Sequence, residues 1–367
     1  MEIRESFIMR DWEVMYDFLG NNYRPDIALR AAQFYEWQFQ VDALRNKTCM
    51  VCGWDGNRLV GILGYIPTLV FWGDFDQPVQ GVWCANWQVE KGHQHGLGWL
   101  LLRKLQEMYP ILLGVGASTE TERIVKRMGW TFCSQLPRYL CVLDFDKTIK
   151  MIDSQISADD LQSMVFKAST SNPPQLCQLT PQVTDYKPNW ELYPAMAYGT
   201  IRSMQYFQWR YFSHPVFKYF VLTAGSLNRP AVVVYRIERA FGQCEAQVAR
   251  IVEFFHPNDT QGQADGVALI KFVLSQLQVL GCVYADFIGS SDTYGQTLIE
   301  AGWQREPADR QILPVRLSPI EQKPWHLNLE FGVVRGLQVP TIDKMYVTKS
   351  DGDGDRPTRL PHLLEKS

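Results

Sequence analysis

"KGHQHGLGWLLLRKL", Lys91 to Leu105, admits two readings that lead to different proteins. Two histidines one residue apart, His93 and His95, suggest a metal site. Gly96 and Gly98 ahead of a leucine-rich run suggest a loop that ends a strand, turns and opens a helix. Residues two apart on a loop rarely face one ion, and no nearby Cys or His completes a ligand set, so no metal is expected. Leu97, Leu101, Leu105 and Met108 recur at helical spacing until Pro110, which supports the second reading.

The same order of elements occurs twice. "FYEWQF" (Phe34 to Phe39) resembles "YFQWRY" (Tyr206 to Tyr211), with Trp37 matching Trp209 at an offset of 172. "LLGVGAS" (Leu112 to Ser118) resembles "ADFIGSS" (Ala285 to Ser291), and "RMGW" resembles "EAGW", both at an offset of 173. Three matches in one order at nearly one offset predict two copies of one fold. In each copy a helical opening ends at the aromatic box. A strand hairpin follows, around Asp55-Gly56 in the first copy and between "KYFVLTA" and "AVVVYRI" in the second. Then come a strand, a loop, an amphipathic helix, a buried strand, another helix and a Gly-Trp turn. The expected domains are 1–150 and 181–340, joined by a linker at 151–180 centred on "STSNPP" (Ser169 to Pro174) and followed by a tail at 341–367.

Composition agrees with a well-packed protein. Hydrophobic residues make up 46% of the 367, and the net charge of −3 gives no general attraction to nucleic acid or anionic membrane. Apolar runs are strand-sized and the start has no signal-like stretch, so a cytoplasmic protein without membrane insertion is expected. Eight cysteines spread over the chain are no disulfide framework, and Cys49 and Cys52 read as buried structural thiols.

The order hairpin, long strand, glycine loop, helix, strand, helix, Gly-aromatic turn resembles the GCN5-related N-acetyltransferase (GNAT) superfamily. The resemblance implies an α/β fold with mixed sheets, here two tandem GNAT-like domains in a Fem-like architecture. The family loop reads Gln/Arg-x-x-Gly-x-Gly/Ala; His93 stands at the first place, and Gly96 and Gly98 fit the others. The implied cofactor is coenzyme A, as an acyl-CoA cosubstrate. Its pyrophosphate would meet unpaired N–H groups at a helix N-terminus, approached closely across glycine. The residues expected to hold it are Trp87, Gln88, Val89, His93, Gln94, His95, Gly96, Leu97, Gly98, Trp99 and Ser118. In the second copy Gln263, Gly266 and Ala268 also fit the loop pattern, but Asp259 and Asp265 would repel a phosphate. The coenzyme is therefore expected in the first copy and the acceptor mainly in the second.

"YFQWRYFSHP" (Tyr206 to Pro215) and "YVTKSDGDGDRP" (Tyr346 to Pro357) resemble boxes in acyltransferases of surface-polysaccharide pathways. They imply a nucleotide-linked amino sugar of the dTDP-3-amino-3,6-dideoxyhexose type as acceptor. Trp209, Arg210, His214, Lys349 and Arg356 are the expected contacts, with guanidinium and ammonium groups suited to a diphosphate. A neutral amine must attack the thioester, so a carboxylate should take its proton, and Asp286 or Glu253 is the expected base. The tyrosine that many family members use to protonate the thiolate is Val125 here, and Leu298 in the second copy. Two other readings remain open: a Fem-like aminoacyltransferase, against which the charge argues, and a non-catalytic double domain that binds acyl-CoA.

Overall fold

The structure is a computed structural model that describes residues 1–39, 47–152, 158–167, 175–241, 245–317, 320–321, 324–334, 336–357 and 359. The linker centred on Ser169–Pro174 lies outside the described residues. The first half supplies strands β1 (Glu2–Arg4), β2 (Met50–Asp55), β3 (Arg58–Trp72), β4 (Val79–Val89), β5 (Ile111–Val115), β6 (Thr131–Cys133) and β7 (Arg138–Val142). Its main helices are α1 (Trp12–Asn22), α2 (Ala32–Gln38), α3 (Leu97–Met108) and α4 (Thr119–Arg127). The second half supplies β8 (Leu176–Gln178), β9 (Tyr198–Thr200), β10 (Phe220–Ala224), β11 (Ala231–Phe241), β12 (Glu245–Phe255), β13 (Cys282–Ile288), β14 (Gln304–Arg305), β15 (Leu329–Val333) and β16 (Met345–Tyr346). Its main helices are α5 (Met204–Phe207, continued as a π-helical turn through Phe212), α6 (Thr260–Val279) and α7 (Asp292–Glu300).

Two mixed sheets result. The first runs β1-β2-β3-β4-β5-β15-β6, with β9 on the far end of β3 and β16 beside β9. The second runs β8-β10-β11-β12-β13-β7-β14. In each, the only parallel pair of this main path among the described residues is the central one, β4·β5 or β12·β13, because a crossover helix (α3 or α6) joins those strands. The hairpins turn where Gly and Asp cluster, as at Asp55–Gly56, where Gly56 has φ 56°.

The last strands are exchanged. β7 lies within the first stretch of sequence, yet it pairs antiparallel with β13 in the second sheet. β15 lies in the second stretch, yet it pairs antiparallel with β5 in the first sheet. The sheets therefore do not divide at the sequence limits 1–150 and 181–340. The described part of the segment after residue 341 packs on the rest of the protein: β16 extends the first sheet, and Asp351 and Asp355 are buried.

The exchange and the aromatic boxes relate the halves by an approximate twofold. The indole N–H of Trp37 donates to the Trp209 carbonyl at 3.0 Å, and the indole N–H of Trp209 donates to the Trp37 carbonyl at 3.0 Å. The two rings stack with centroids 5.4 Å apart. Each box thus packs on its own image, which explains why both copies carry the tryptophan.

Candidate active site

β4 and β5 are paired only from Gly81↔Ile111 to Cys84↔Gly114; beyond that row they diverge. Two features of β4 open the gap. Asn86 adopts φ 53°, and the register against β3 shifts between Ile62 and Gly64, which is a bulge that puts Asn86 and Trp87 opposite a single β3 residue. Past the bulge, the β5-facing edge of Trp87, Gln88 and Val89 has no strand partner.

The N-terminus of α3 stands at the open end of this splay. Its cap is Gly96 at φ 86°, a left-handed conformation that suits glycine, and no side chain among the described residues caps its first N–H groups. Leu97 anchors the helix in a notch left by Gly53 and Gly61, where an added Cβ would lie 2.9 Å from its side chain in either case. Gly98 lies under the Trp87 ring, and Trp99 faces solvent. Gln94 and His95 are exposed at the rim. His93 lies between two carboxylates, Glu90 at 3.4 Å and Asp55 at 3.6 Å. The Ser118 hydroxyl is used to cap α4, accepting the Thr121 N–H at 3.2 Å.

Around the splay sit polar groups that sequence reasoning did not single out. Gln38 Nε2 donates to the Asn86 side-chain oxygen Oδ1 at 2.9 Å, while Gln38 Oε1 is buried without a partner. The Tyr23 hydroxyl is buried beside the Asn86 side-chain amide, within electrostatic reach of Arg356 and Asp353. Glu330, on β15, is 5% exposed and its Oε2 has no partner. Burial, then the neighbouring Asp353, pushes its pKa up to about 8. Asp353 comes from the segment that crosses the sheet beside Trp83 and Val115, and it pairs with Arg356 at 3.0 Å. An unpaired buried polar atom costs roughly 1–3 kcal/mol, so two in one place indicate a site built for something that pairs them.

The equivalent splay of the second copy is closed. Segment 345–350 runs into it: Ser290 N–H donates to the Val347 carbonyl at 2.8 Å and Lys349 N–H to the Ile288 carbonyl at 3.2 Å. The N-terminus of α6 is capped by the Asp259 carboxylate, which accepts the Gly262 N–H at 2.8 Å and a guanidinium bond from Arg229. The loop that matches the phosphate pattern in sequence is thus already holding an anion of its own.

Glu253 and Asp286 lie in this closed half. Glu253 accepts from Arg202, Tyr346, Thr348 and Ser350 and is fully buried. Asp286 pairs with Arg138 at 2.8 Å and with Arg250. Burial alone would raise its pKa, but Arg250 and Arg138 hold the carboxyl below the usual range. Arg210 is also buried and donates to the backbone carbonyls of Ser350 and Asp355. Trp209 is taken up by Trp37. His214 accepts two backbone N–H bonds, from Val216 and Phe217, at Nδ1, and burial and Arg210 push its pKa down to about 3. Lys349 lies 3.9 Å from Asp355, and burial lowers its pKa to about 8. Of the five expected acceptor contacts, only Arg356 reaches the open splay. Cys49 and Cys52 are unbridged, and burial pushes the Cys49 thiol up to about 11. No described helix is long and apolar enough to cross a membrane.

No protein-family model matches the sequence, and no curated protein sequence matches it significantly. Solved structures do match. A GCN5-related N-acetyltransferase from Anabaena variabilis aligns with a TM-score of 0.57 at 14% identity, over 90% of this chain and 72% of that one. A probable N-acyltransferase from Enterococcus faecalis aligns at 0.54 and 9% identity, over 91% and 72%. N-myristoyltransferase of Saccharomyces cerevisiae, with bound myristoyl-CoA, aligns at 0.51 and 12% identity, over 94% and 87%. At these identities the likeness is one of fold. The mixed α/β fold expected from the sequence, built from GNAT-like units, is the fold of this chain.

Proposed function

We propose that the chain is an acyl-CoA-dependent N-acyltransferase whose coenzyme lies in the splay of the first copy. The observation that carries this reading is the contrast between the two splays. One is open, uncapped and ringed by unpartnered buried polar atoms; the other is filled by the chain itself. The residues present fit the coenzyme. N–H groups of Leu97, Gly98 and Trp99 face the pyrophosphate position, and the free edge of Trp87–Val89 faces the pantetheine amides as another strand would.

Bound there, the coenzyme supplies a thioester carbon for attack and a thiolate leaving group. The chain's own groups do the rest. Backbone N–H groups freed by the Asn86–Trp87 bulge are the available donors for the carbonyl oxygen as charge develops on it. Asp353, in the segment that crosses the sheet beside Trp83 and Val115, is the carboxylate placed to take a proton from the amine. Asp286 and Glu253 receive no proton-transfer role in this reading, because guanidinium and hydroxyl donors already occupy them.

The acceptor is an amine. The nucleotide-linked amino sugar rests on the sequence resemblance of the two boxes in the second half, with Arg356 as the residue left to meet a diphosphate. The test is release of free thiol from acetyl-CoA with a panel of amines that includes nucleotide amino sugars. Turnover with any of them, reduced about a hundredfold or more in Asp353→Asn, supports the reading. Tight coenzyme binding with no turnover on any amine would point instead to a non-catalytic acyl-CoA-binding protein.

A further inference from the structure

The closed end of the open splay has a composition that an acetyl group does not require. Cys84, Gly114 and Glu330 form one row across β4, β5 and β15. Gly114 has no side chain, and a Cβ there would collide with the Glu330 carboxyl, so the carboxyl lies over β5 toward Cys84. Two rows deeper, on the same face of the sheet, Val82 and Leu112 are paired and 0% and 1% exposed, which seals the cleft behind it. Glu330 itself has an oxygen without a partner.

The distances along β4 say what would arrive there. From Cys84 to Val89 the strand advances roughly 17 Å at about 3.3 Å per residue. A linear ligand held by its phosphates at the N-terminus of α3 and lying along β4 points its other end at the closed row. In the reading proposed above that end is the acyl group. Glu330 thus meets the part of the donor that distinguishes one acyl group from another.

We propose that Glu330 floors the acyl end of the splay and selects a short donor acyl group bearing a hydrogen-bond-donating hydroxyl or amino substituent. The inference rests on the splay being the coenzyme cleft. An aliphatic acyl group would dry the carboxyl and leave its oxygen unpaired, whereas a hydroxyl or ammonium on the chain would satisfy it. Burial, with smaller contributions from Glu330 and Asp353, pushes the Cys84 thiol pKa up, so the row offers a neutral thiol rather than a nucleophile.

Calorimetry on the full chain tests this with coenzyme A, butyryl-CoA, 3-hydroxybutyryl-CoA and β-alanyl-CoA. Wild type should bind one of the two polar esters at least tenfold more tightly than butyryl-CoA, and the favoured one distinguishes hydroxyl from ammonium. Glu330→Met should erase or invert that preference while the affinity for unesterified coenzyme A stays the same. Glu330→Gln keeps the shape should the methionine variant fail to fold; it should retain any preference for the hydroxyl ester and lose one for the ammonium ester. Equal wild-type affinity for all three esters, or a preference that survives Glu330→Met, would overturn the inference. If unesterified coenzyme A itself does not bind, the cleft assignment falls, and this inference falls with it.

Discussion

The two splays share strand order, crossover helix and Gly-Trp turn, and differ in what fills the gap between their parallel strands. In the second copy the chain supplies its own filler. Tyr346, Thr348 and Ser350 reach Glu253, and Asp351 and Asp355 meet Arg202 and Arg236. In the first copy the corresponding groups wait for partners. A duplicated fold has here kept one cleft and turned the other into core, with the closing segment crossing from the filled cleft to the edge of the open one. Arg202, Arg236 and Arg250 are buried in the filled half with their charges matched by acids on neighbouring strands and on that segment, and the buried Arg210 donates to carbonyls of the same segment.

The largest expected effect tests the filled side. Asp286→Asn leaves Arg138 and Arg250 short of a buried counter-charge, which should cost about 3–5 kcal/mol in denaturant unfolding. Turnover of the protein that remains folded should stay near wild type. A large loss of kcat at unchanged stability would make Asp286 the base after all and end the contrast drawn here.

Next comes the open side. Gly98→Glu places bulk and negative charge among the uncapped N–H groups of α3 and should weaken coenzyme A binding at least a hundredfold, about 2.7 kcal/mol. Ala268→Glu, at the equivalent helix of the filled copy, should leave the affinity nearly unchanged. Circular dichroism must show both variants folded. The reverse pattern would exchange the roles of the two copies.

The smallest effect sharpens the picture at one residue. Folding carries Glu330 from the usual carboxylate range, near 4.5, up to about 8. The folded state therefore holds a proton that the unfolded chain has released, and wild-type stability should fall as pH rises between about 4.5 and about 8. Glu330→Gln has no such proton to lose. Its melting temperature should overtake that of wild type by a few degrees near pH 8, and the difference should shrink toward pH 4.5. Parallel melting curves across that window would mean that Glu330 is ionised in the folded protein.

Much of the frame was legible in the sequence because it depends on short-range periodicity. The spacing of Leu97, Leu101 and Leu105 gave α3, and Asp55-Gly56 gave the first hairpin. The offset of about 172 residues gave the two copies, down to the paired tryptophans. The strand exchange was not legible. "RYLCV" and "LEFGV" read as ordinary buried strands, and nothing local states which sheet receives them. The glycine turn that opens α3 is legible in its pattern, and the capping of the second helix by Asp259 follows from a carboxylate at its N-cap. Asn86, Gln38 and Tyr23 were missed because each is an unremarkable residue in its own segment. Asp353 carries no signal of its own within the box Tyr346 to Pro357, since the arginines that draw this segment inward lie more than a hundred residues earlier. Glu330 had a faint signal, a carboxylate inside an apolar strand run.

The exchanged strands also set a timetable for synthesis. The open cleft is built largely from the first third of the chain, yet its sheet lacks β15, and with it Glu330, until residue 333 has been made. Asp353 arrives later still. During translation the amino-terminal portion must wait, its β5 edge unpaired, while the rest of the protein is assembled behind it. A ribosome paused near residue 150 would therefore carry a nascent domain with an exposed sheet edge, and that is the stage at which a chaperone would have most to protect.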